Sequence, residues 1–320
     1  MVCPTRSASL NLLSRSAVVH AIGNTPLLRL HRLEHDLALP DSIELWLKAE
    51  WGNPGGSVKD RPALAIVRRA LEEEKLGFGQ TLLDATSGNT GIAYAMLGAA
   101  LDFPVELVLP GSASEERRQI LAAYGAHVTY SDPYDGSNGA IRLARQIAAD
   151  SPEKYFYADQ YGNKSNPESH YLSTGPEVWA QTGGQITHFV AGLGTTGTLM
   201  GTGRYLKERN PAVQLVAIQP SESFHGIEGL KHLPTAIIPA IYDDRIPDVQ
   251  TGVETEQAYD TARKLARLEG IFVGTSTGAS AEAAIRIARQ AREEKRAAVV
   301  VAVAPDSGGK YLSTGLWSDS

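Results

Sequence analysis

The chain has 320 residues, and 42% of them are apolar, so it can bury a full hydrophobic core and extensive disorder is excluded. Its formal net charge of −6 disfavours nucleic acid and anionic membranes as partners, because both select basic surfaces. The one cysteine, Cys3, excludes a disulfide framework, and the eight histidines lack metal-binding spacing, so we expect no metal site. With neither a long apolar run nor a signal peptide, we expect a cytoplasmic protein.

Short apolar runs alternate along the chain with segments of helical period. Strands are predicted at 82–85, 105–109, 128–130, 155–158, 189–191, 215–218, 271–273 and 298–303. Helices are predicted at 90–101, 115–124, 140–149, 176–181, 198–208 and 279–294. This alternation predicts an α/β fold with parallel-rich twisted sheets flanked by helices. The irregular stretch 219–252 is interpreted either as a loop that covers an active site or as a long connection.

Two predicted strand–loop–helix junctions, 84–91 and 192–198, carry glycine and hydroxyl residues where a helix begins. The free N–H groups at a helix start bind anions, so both junctions are candidate anion sites; the alternative is a pair of tight turns with capped helices. The second junction also matches the G-x-G-x-x-G pattern of dinucleotide sites. The next strand ends at Gln219 and Pro220, with Glu222 slightly beyond, so an NAD-binding protein stays open as an alternative.

A third feature is the run from Asn53 to Arg61, which contains a Pro-Gly-Gly turn. Ser57 is predicted as the N-cap of an amphipathic helix, with Lys59 in its first turn. The helix dipole disfavours a cation there, which lowers the pKa of the amine and suits it to Schiff-base chemistry. The alternative for Lys59 is a solvated surface lysine.

Together these segments resemble the cysteine synthase family of fold-type II pyridoxal-phosphate enzymes, whose fold is similar to the tryptophan synthase β subunit. The resemblance spans nearly the whole chain. It rests on the segments 22–27 (IGNTPL), 56–61 (GSVKDR), 86–91 (TSGNTG), 173–177 (STGPE), 194–198 (GTTGT), 274–278 (GTSTG) and 310–314 (KYLST).

The resemblance implies a role for each matching residue. Lys59 corresponds to the lysine that forms the Schiff base with pyridoxal phosphate and then acts as general base. The other implied cofactor contacts are Asn89 for the ring hydroxyl, Ser276 for the pyridine nitrogen, and Gly194, Thr195, Thr196, Gly197 and Thr198 for the phosphate. The implied substrate-carboxylate contacts are Thr86, Ser87, Gly88, Thr90 and Gln160. For Gln160 and Ser276 the alternatives are a polar strand end and a plain helix cap.

The resemblance also implies two domains and an activity. Residues 45–158 would form a smaller mobile domain, and 1–44 with 159–320 a larger domain that binds the cofactor phosphate. The expected activity is that of a transferase that makes L-cysteine from O-acetyl-L-serine and sulfide or thiosulfate by β-replacement. A hydroxyl at Ser276 cannot hold the pyridine nitrogen protonated as an aspartate would, which favours prompt loss of a β-leaving group.

The choice of substrate remains open within the family. The sequence at 194–198 resembles the B-type branch, which includes enzymes that use O-phosphoserine, and Lys231 stands where that branch has a phosphate-binding arginine. We therefore expect O-acetylserine, with O-phosphoserine as the alternative and Lys231 as a candidate substrate contact or a solvated lysine. A serine or threonine dehydratase and a non-catalytic binding protein on the same fold also stay open. The family implies a homodimer, and a serine acetyltransferase is a candidate partner.

Overall fold

The computed structural model describes residues 6–77, 79–86, 88–111 and 113–317. Its strands are β1 (Leu27–Arg29), β2 (Ile43–Ala49), β3 (Thr81–Ala85), β4 (Val105–Pro110), β5 (His127–Ser131), β6 (Tyr155–Tyr157), β7 (His188–Gly192), β8 (Gln214–Pro220), β9 (Val249–Val253) and β10 (Ala298–Ala304). Its helices are α1 (Arg6–Arg15), α2 (Ala17–His20), α3 (His31–Asp36), α4 (Asp60–Glu72), α5 (Asn89–Leu101), α6 (Glu115–Ala123), α7 (Gly136–Asp150), α8 (Ser165–Leu172), α9 (Thr174–Gln181), α10 (Gly197–Arg209), α11 (Thr255–Glu269) and α12 (Thr275–Glu293). The predicted α/β class with parallel-rich sheets flanked by helices is confirmed.

The chain divides into two compact units. The first unit comprises Met1–Ile22 and Asn53–Asn166, and the second comprises Gly23–Gly52 and Pro167–Ser320. The expected domain border at residue 45 falls inside β2, which pairs along its whole length with β10 and therefore belongs to the second unit. That pairing joins segments about 250 residues apart, so the domain to which β2 belongs cannot be predicted from the neighbouring sequence.

The first unit is built on a four-stranded parallel sheet in the order β5-β4-β3-β6. Its central strand β3 is buried along most of its length and leads directly into the segment 86–88 and helix α5. Helix α5 is almost wholly buried, which matches its apolar sequence, and its Gly91 and Gly98 let neighbouring side chains approach closely. The end of β3 and the start of α5 therefore have a fixed position in the core of this unit.

The second unit is built on a six-stranded sheet in the order β1-β2-β10-β7-β8-β9, parallel except for the β1–β2 pair. Strand β10, with the sequence AVVVAVA, is almost entirely buried, as expected for a parallel strand covered on both faces. Helix α12 packs against this sheet through a small-residue face, and its first residues are buried. Strand β7 leads into the segment 193–196 and helix α10, and the start of this helix is also buried.

The structure corrects two local predictions. Residues 271–273 are not a strand, because in this stretch only Val273 makes a β-bridge, to Ser307. The predicted N-cap at Ser57 is wrong, because the turn continues for two more residues and α4 begins at Asp60, with Lys59 as its N-cap. The sequence analysis also missed the strands β1, β2 and β9 and the helices α1, α2, α3, α8 and α11. In the stretch 219–252, residues 221–248 are irregular apart from a short 3-10 turn at Leu233–Thr235.

Metal clusters and membrane spans are two features that a fold of this size could contain. Among the described residues, no cluster of three or more histidine, cysteine, aspartate or glutamate side chains has the arrangement of a metal site. Within the same part of the chain, no helix has both the length and the apolar character needed to cross a membrane.

Candidate active site

The candidate residues fall into two groups, one in each compact unit. In the first unit, Lys59 is half-buried at the N-cap of α4. The backbone N–H of Lys59 donates to the Ser57 hydroxyl at 3.2 Å, and the Asp60 carboxylate accepts the N–H of Gly55 at 2.5 Å. These bonds close the turn that carries Lys59, so its amine extends from a fixed point at the positive end of a helix.

The junction between β3 and α5 carries most of the predicted carboxylate contacts. The Thr86 hydroxyl accepts the backbone N–H groups of Gly88 at 3.0 Å and Gly91 at 3.3 Å, which ties this side chain to the first turn of α5. Asn89 is the first residue of the helix and is half-buried. The prediction that hydroxyl and glycine residues lie where this helix begins is confirmed, while Ser87 lies outside the described residues.

The structure brings Gln160 and Thr90 together although 70 residues separate them. The Thr90 hydroxyl donates to Gln160 Oε1 at 2.7 Å, and Gln160 Nε2 donates to the carbonyl of Ala85 at 2.6 Å. Both side chains are buried, at 4% and 2% exposure. Gln160 is thus fixed beside the start of α5, with a second amide proton available to another acceptor.

A buried aspartate lies behind Gln160. Asp84 is fully buried and accepts the backbone N–H groups of Gln160 at 3.1 Å and Ala85 at 2.8 Å. Burial raises the pKa of the Asp84 carboxyl to about 8, against the opposing effect of these two hydrogen bonds. The sequence analysis missed Asp84, although a single aspartate within the apolar strand 82–85 is itself a signal.

In the second unit, the residues Gly194, Thr195, Thr196, Gly197 and Thr198 lie at the end of β7 and the start of α10 and are all buried. Thr196 has φ of 73°, a left-handed conformation that is uncommon for a threonine. Its Oγ1 is buried and has no hydrogen-bond partner among the described residues. A buried, strained hydroxyl at a helix start is the arrangement expected of an anion-binding loop, and it fits a phosphate group.

The segment from Glu228 to Lys231 connects this loop to the start of α12. The backbone N–H of Lys231 donates to the carbonyl of Leu193 at 2.8 Å, and that of Glu228 donates to the Thr275 hydroxyl at 3.1 Å. Ser276, the predicted partner of the pyridine nitrogen, follows Thr275 and is 4% exposed. The predicted phosphate loop and Ser276 therefore lie on either side of one short segment of the same unit.

Lys231 is not a solvated surface lysine, because it is only 6% exposed. Burial lowers the pKa of its ammonium group to about 8. At pH 7 most of the population still carries the charge, since the pKa lies about one unit higher. The second unit therefore holds a buried cation on the segment that contacts the 194–198 loop.

Another polar side chain near this loop was missed by the sequence analysis. His170 on α8 is 1% exposed, and its Nε2 lies 3.3 Å from the Thr198 hydroxyl. Its Nδ1 lies 2.9 Å from the hydroxyl of Thr174, the first residue of the next helix, and no pattern in the sequence marks either contact.

Comparison with known proteins places this geometry in a family. Residues 18–306 match a family described as pyridoxal-phosphate dependent enzyme. The chain is 50% identical over 307 residues to a cysteine synthase of Aquifex aeolicus, covering 96% of this chain and 93% of that protein. It is 44% identical to cysteine synthase B of Pseudomonas aeruginosa, covering 94% and 97%. A crystal structure of the Entamoeba histolytica cysteine synthase is similar, with a TM-score of 0.88 and 33% identity, covering 95% and 91%. The chain belongs to the family of pyridoxal-phosphate dependent enzymes.

Proposed function

We propose that this protein is a cysteine synthase that converts O-acetyl-L-serine and sulfide to L-cysteine by β-replacement. The observation that carries the proposal is the 50% identity with a cysteine synthase over 96% of this chain. The geometry supports it, because each compact unit has a helix start preceded by glycine and hydroxyl residues. Two such anion-binding elements suit a reaction that needs one phosphate and one amino-acid carboxylate held in place.

Lys59 is the residue to which we assign covalent attachment of the cofactor and proton transfer at the substrate Cα. Bound pyridoxal phosphate supplies the electron withdrawal that lets the Cα proton and the β-substituent leave. The ε-amine of Lys59 takes this proton as general base and later returns it as general acid. Its position at the N-cap of α4 supports the role, because the positive helix end disfavours the ammonium form and so favours the basic amine.

The start of α5 is the proposed carboxylate site. Gln160 has one amide proton bonded to Ala85, so its other proton can reach a carboxylate oxygen. The Thr90 hydroxyl is bonded to Gln160 and can turn to the carboxylate when the substrate arrives. Thr86 keeps the first turn of α5 in shape through its bonds to Gly88 and Gly91, and Asn89 is assigned to the ring hydroxyl of the cofactor.

In the second unit, the residues 194–198 are assigned to the cofactor phosphate and Ser276 to the pyridine nitrogen. The buried Thr196 hydroxyl and the backbone N–H groups at the start of α10 are the donors that a phosphate would accept. Ser276 supplies a neutral hydroxyl, so the pyridine nitrogen is not held protonated. A weaker electron sink of this kind favours prompt β-elimination over a long-lived carbanion.

O-Phosphoserine is the second candidate substrate, and Lys231 is the observation that favours it. A buried ammonium group of pKa about 8 is charged at neutral pH and attracts an anionic leaving group or sulfur donor such as thiosulfate. Lys231→Ala is then expected to raise the KM for O-phosphoserine at least about 10-fold, since a hydrogen bond to a charged group is worth a factor of this size. An equal rise for O-acetylserine would mean that Lys231 supports the loop rather than recognises an anion.

The test is cysteine formation by the purified protein, with O-acetylserine and O-phosphoserine compared at equal sulfide. Lys59→Ala is expected to abolish turnover, and Lys75→Ala, a change at an exposed lysine of the same unit, is expected to retain it. Near wild-type turnover by Lys59→Ala would contradict the role given to Lys59. Formation of pyruvate in place of cysteine would replace the proposal with a dehydratase activity.

We further propose a cytoplasmic homodimer, and we keep a serine acetyltransferase as the candidate protein partner. The cysteine synthase activity supports small-molecule substrates, and the homodimer follows from the family resemblance. Sedimentation equilibrium of the purified protein tests the assembly, because a single species at the mass of the 34.3 kDa chain would contradict a dimer.

A further inference from the structure

A buried histidine connects two threonines in the second unit. His170 Nδ1 lies 2.9 Å from the Thr174 hydroxyl, and His170 Nε2 lies 3.3 Å from the Thr198 hydroxyl. The exposed fractions are 1% for His170, 0% for Thr174 and 9% for Thr198. The three side chains belong to α8, α9 and α10, so the imidazole links the start of α9 to the start of the helix that follows the proposed phosphate loop.

The tautomer of this imidazole decides what the Thr198 hydroxyl can do. A neutral imidazole donates from one ring nitrogen and accepts at the other. If Nε2 accepts from Thr198, the hydroxyl proton of Thr198 is used on His170. If Nε2 carries the proton and donates to Thr198, the hydroxyl proton of Thr198 is free to be donated elsewhere. A phosphate dianion has only acceptor oxygens, so it can bond to the hydroxyl only in the second case.

We infer that His170 is a positioning residue that holds Thr198 as a hydrogen-bond donor to the cofactor phosphate. The Thr174 hydroxyl donates to Nδ1, Nε2–H donates to Thr198 Oγ1, and Thr198 donates to a phosphate oxygen. All the hydrogen bonds of this chain then point toward the anion, which is the favourable orientation because the charge polarises each donor in turn. The inference rests on the proposed placement of the phosphate at the residues 194–198.

Local packing fixes the imidazole for this role. Gly201 follows Thr198 on α10, and a side chain there would strike the carbonyl of Pro167 and approach His170 Cβ at 2.8 Å. Helices α8 and α10 therefore touch closely at this point, and the His170 ring has little room to turn. A hydroxyl held by a ring that cannot rotate has a direction that a hydroxyl exposed to water would lack.

Two substitutions of His170 separate positioning from general support. Asparagine reaches only the place of Nδ1, whereas glutamine reaches the place of Nε2 and can still donate to Thr198. The measurement is equilibrium dialysis of the full-length protein, stripped of cofactor, against pyridoxal phosphate and separately against pyridoxal, which lacks the phosphate. His170→Asn is expected to lower the affinity for pyridoxal phosphate about 10- to 100-fold and the affinity for pyridoxal less than about 2-fold. The reason is that the Thr198 hydroxyl is no longer held toward the charged phosphate, so its bond to that group is lost. His170→Gln is expected to stay within about 5-fold of wild type for both.

Thr198→Val is the second variant, because it removes the hydroxyl and keeps the shape of the side chain. It should give the same phosphate-specific loss, and combining it with His170→Asn should add little, because both changes remove one hydrogen bond. His31→Asn, at an exposed histidine of the same unit, is the matched control and should bind both ligands as wild type does. The ³¹P resonance of the bound cofactor should shift in His170→Asn and Thr198→Val and not in the control.

Four results would overturn the inference. If His170→Asn lowered the affinities for pyridoxal and pyridoxal phosphate equally, the histidine would only support the fold. Loss in His170→Gln equal to that in His170→Asn would mean that Nε2 is not the operative atom. ¹⁵N chemical shifts that place the proton on Nδ1 would reverse the proposed donor order. If the wild-type protein itself does not prefer pyridoxal phosphate to pyridoxal, the placement of the phosphate fails, and the inference fails with it.

Discussion

Lys48 offers a sharp test of how the second unit is held together. It lies on β2 with no exposed surface, and its ammonium group makes three bonds. The partners are Glu177 Oε2 at 2.6 Å, the carbonyl of Thr25 at 2.7 Å and Gln181 Oε1 at 2.9 Å. This one charge joins the strand to α9 and to the segment that leads into β1.

The change Lys48→Met keeps most of the apolar stem and removes the charge. It removes the ammonium group that lies 2.6 Å from the Glu177 carboxylate, whose side chain is 14% exposed. Breaking a buried ion pair by removing one partner costs about 3–5 kcal/mol. Glu177 Oε1 also accepts the N–H of Asn24 at 3.0 Å, so we expect the low end, about 3 kcal/mol. The double change Lys48→Met with Glu177→Gln removes both charges and should recover about 1 kcal/mol or more.

The assay is urea unfolding of the full-length protein with bound cofactor, followed by far-ultraviolet circular dichroism and tryptophan fluorescence. The control Lys75→Met changes an exposed pair with Glu73 and should leave the midpoint unchanged. A Lys48→Met variant within about 1 kcal/mol of wild type would refute the reasoning, because losing the buried ammonium partner would then cost the half-buried Glu177 carboxylate little. A double variant less stable than Lys48→Met would refute it as well.

Three further changes test other parts of the two units. Burial raises the pKa of Asp84 to about 8, so between about pH 4 and pH 8 the folded state holds a proton that the unfolded state has released. This contribution to the free energy of unfolding is complete below about pH 4 and falls by about 1.4 kcal/mol per pH unit as the pH rises. The difference in unfolding free energy between wild type and Asp84→Asn should follow that slope from pH 5 to pH 7, and a difference that does not vary with pH would contradict the raised pKa. Gly88→Ala should lower the free energy of unfolding in urea by about 1–3 kcal/mol, because φ is 144° and the new Cβ would strike the buried Arg117 side chain; an unchanged midpoint would contradict this. Gly194→Ala should weaken pyridoxal phosphate at least about 10-fold in dialysis, because its Cβ would strike the carbonyl of Gly229 and displace the loop; wild-type affinity would show that the loop tolerates the shift.

In the six-stranded sheet, the strands that the sequence predicted, β7, β8 and β10, have a continuous apolar run. Strand β10 is a run of alanine and valine, and its burial on both faces follows from that composition. Strand β2 was missed because it contains the buried Lys48, whose burial is stabilised by bonds to the distant Glu177 and Gln181 and to Thr25. Strand β9 was missed for another reason, since its sequence VQTGV contains few apolar residues and is only partly buried at the edge of the sheet. In both cases the missing information is a tertiary contact.

The same distinction applies to the site. The junctions that lead into α5 and α10 were predictable because a strand, a glycine–hydroxyl run and a helix follow one another along the chain. The bond between Thr90 and Gln160 is not local, and only the family resemblance brought Gln160 into consideration. The contact between His170 and Thr198 joins two helices, and neither periodicity nor a motif marks it.

The two junctions share a construction that bears on how anions are held. In each, the donors at the helix start are hydroxyl and backbone N–H groups, and one hydroxyl meets a buried side chain from another segment. The Thr90 hydroxyl donates to Gln160 and has to turn before it can bond to a carboxylate, whereas the Thr198 hydroxyl lies 3.3 Å from His170 Nε2. The residues 194–198 include neither lysine nor arginine, so the loop itself supplies no net positive charge to attract a phosphate. Neutral donors bind an anion well only when they are already oriented toward it, because reorienting them on binding would consume the energy gained. Affinity at such a loop therefore depends on the groups that orient the donors, and the residues behind it matter as much as those that touch the anion.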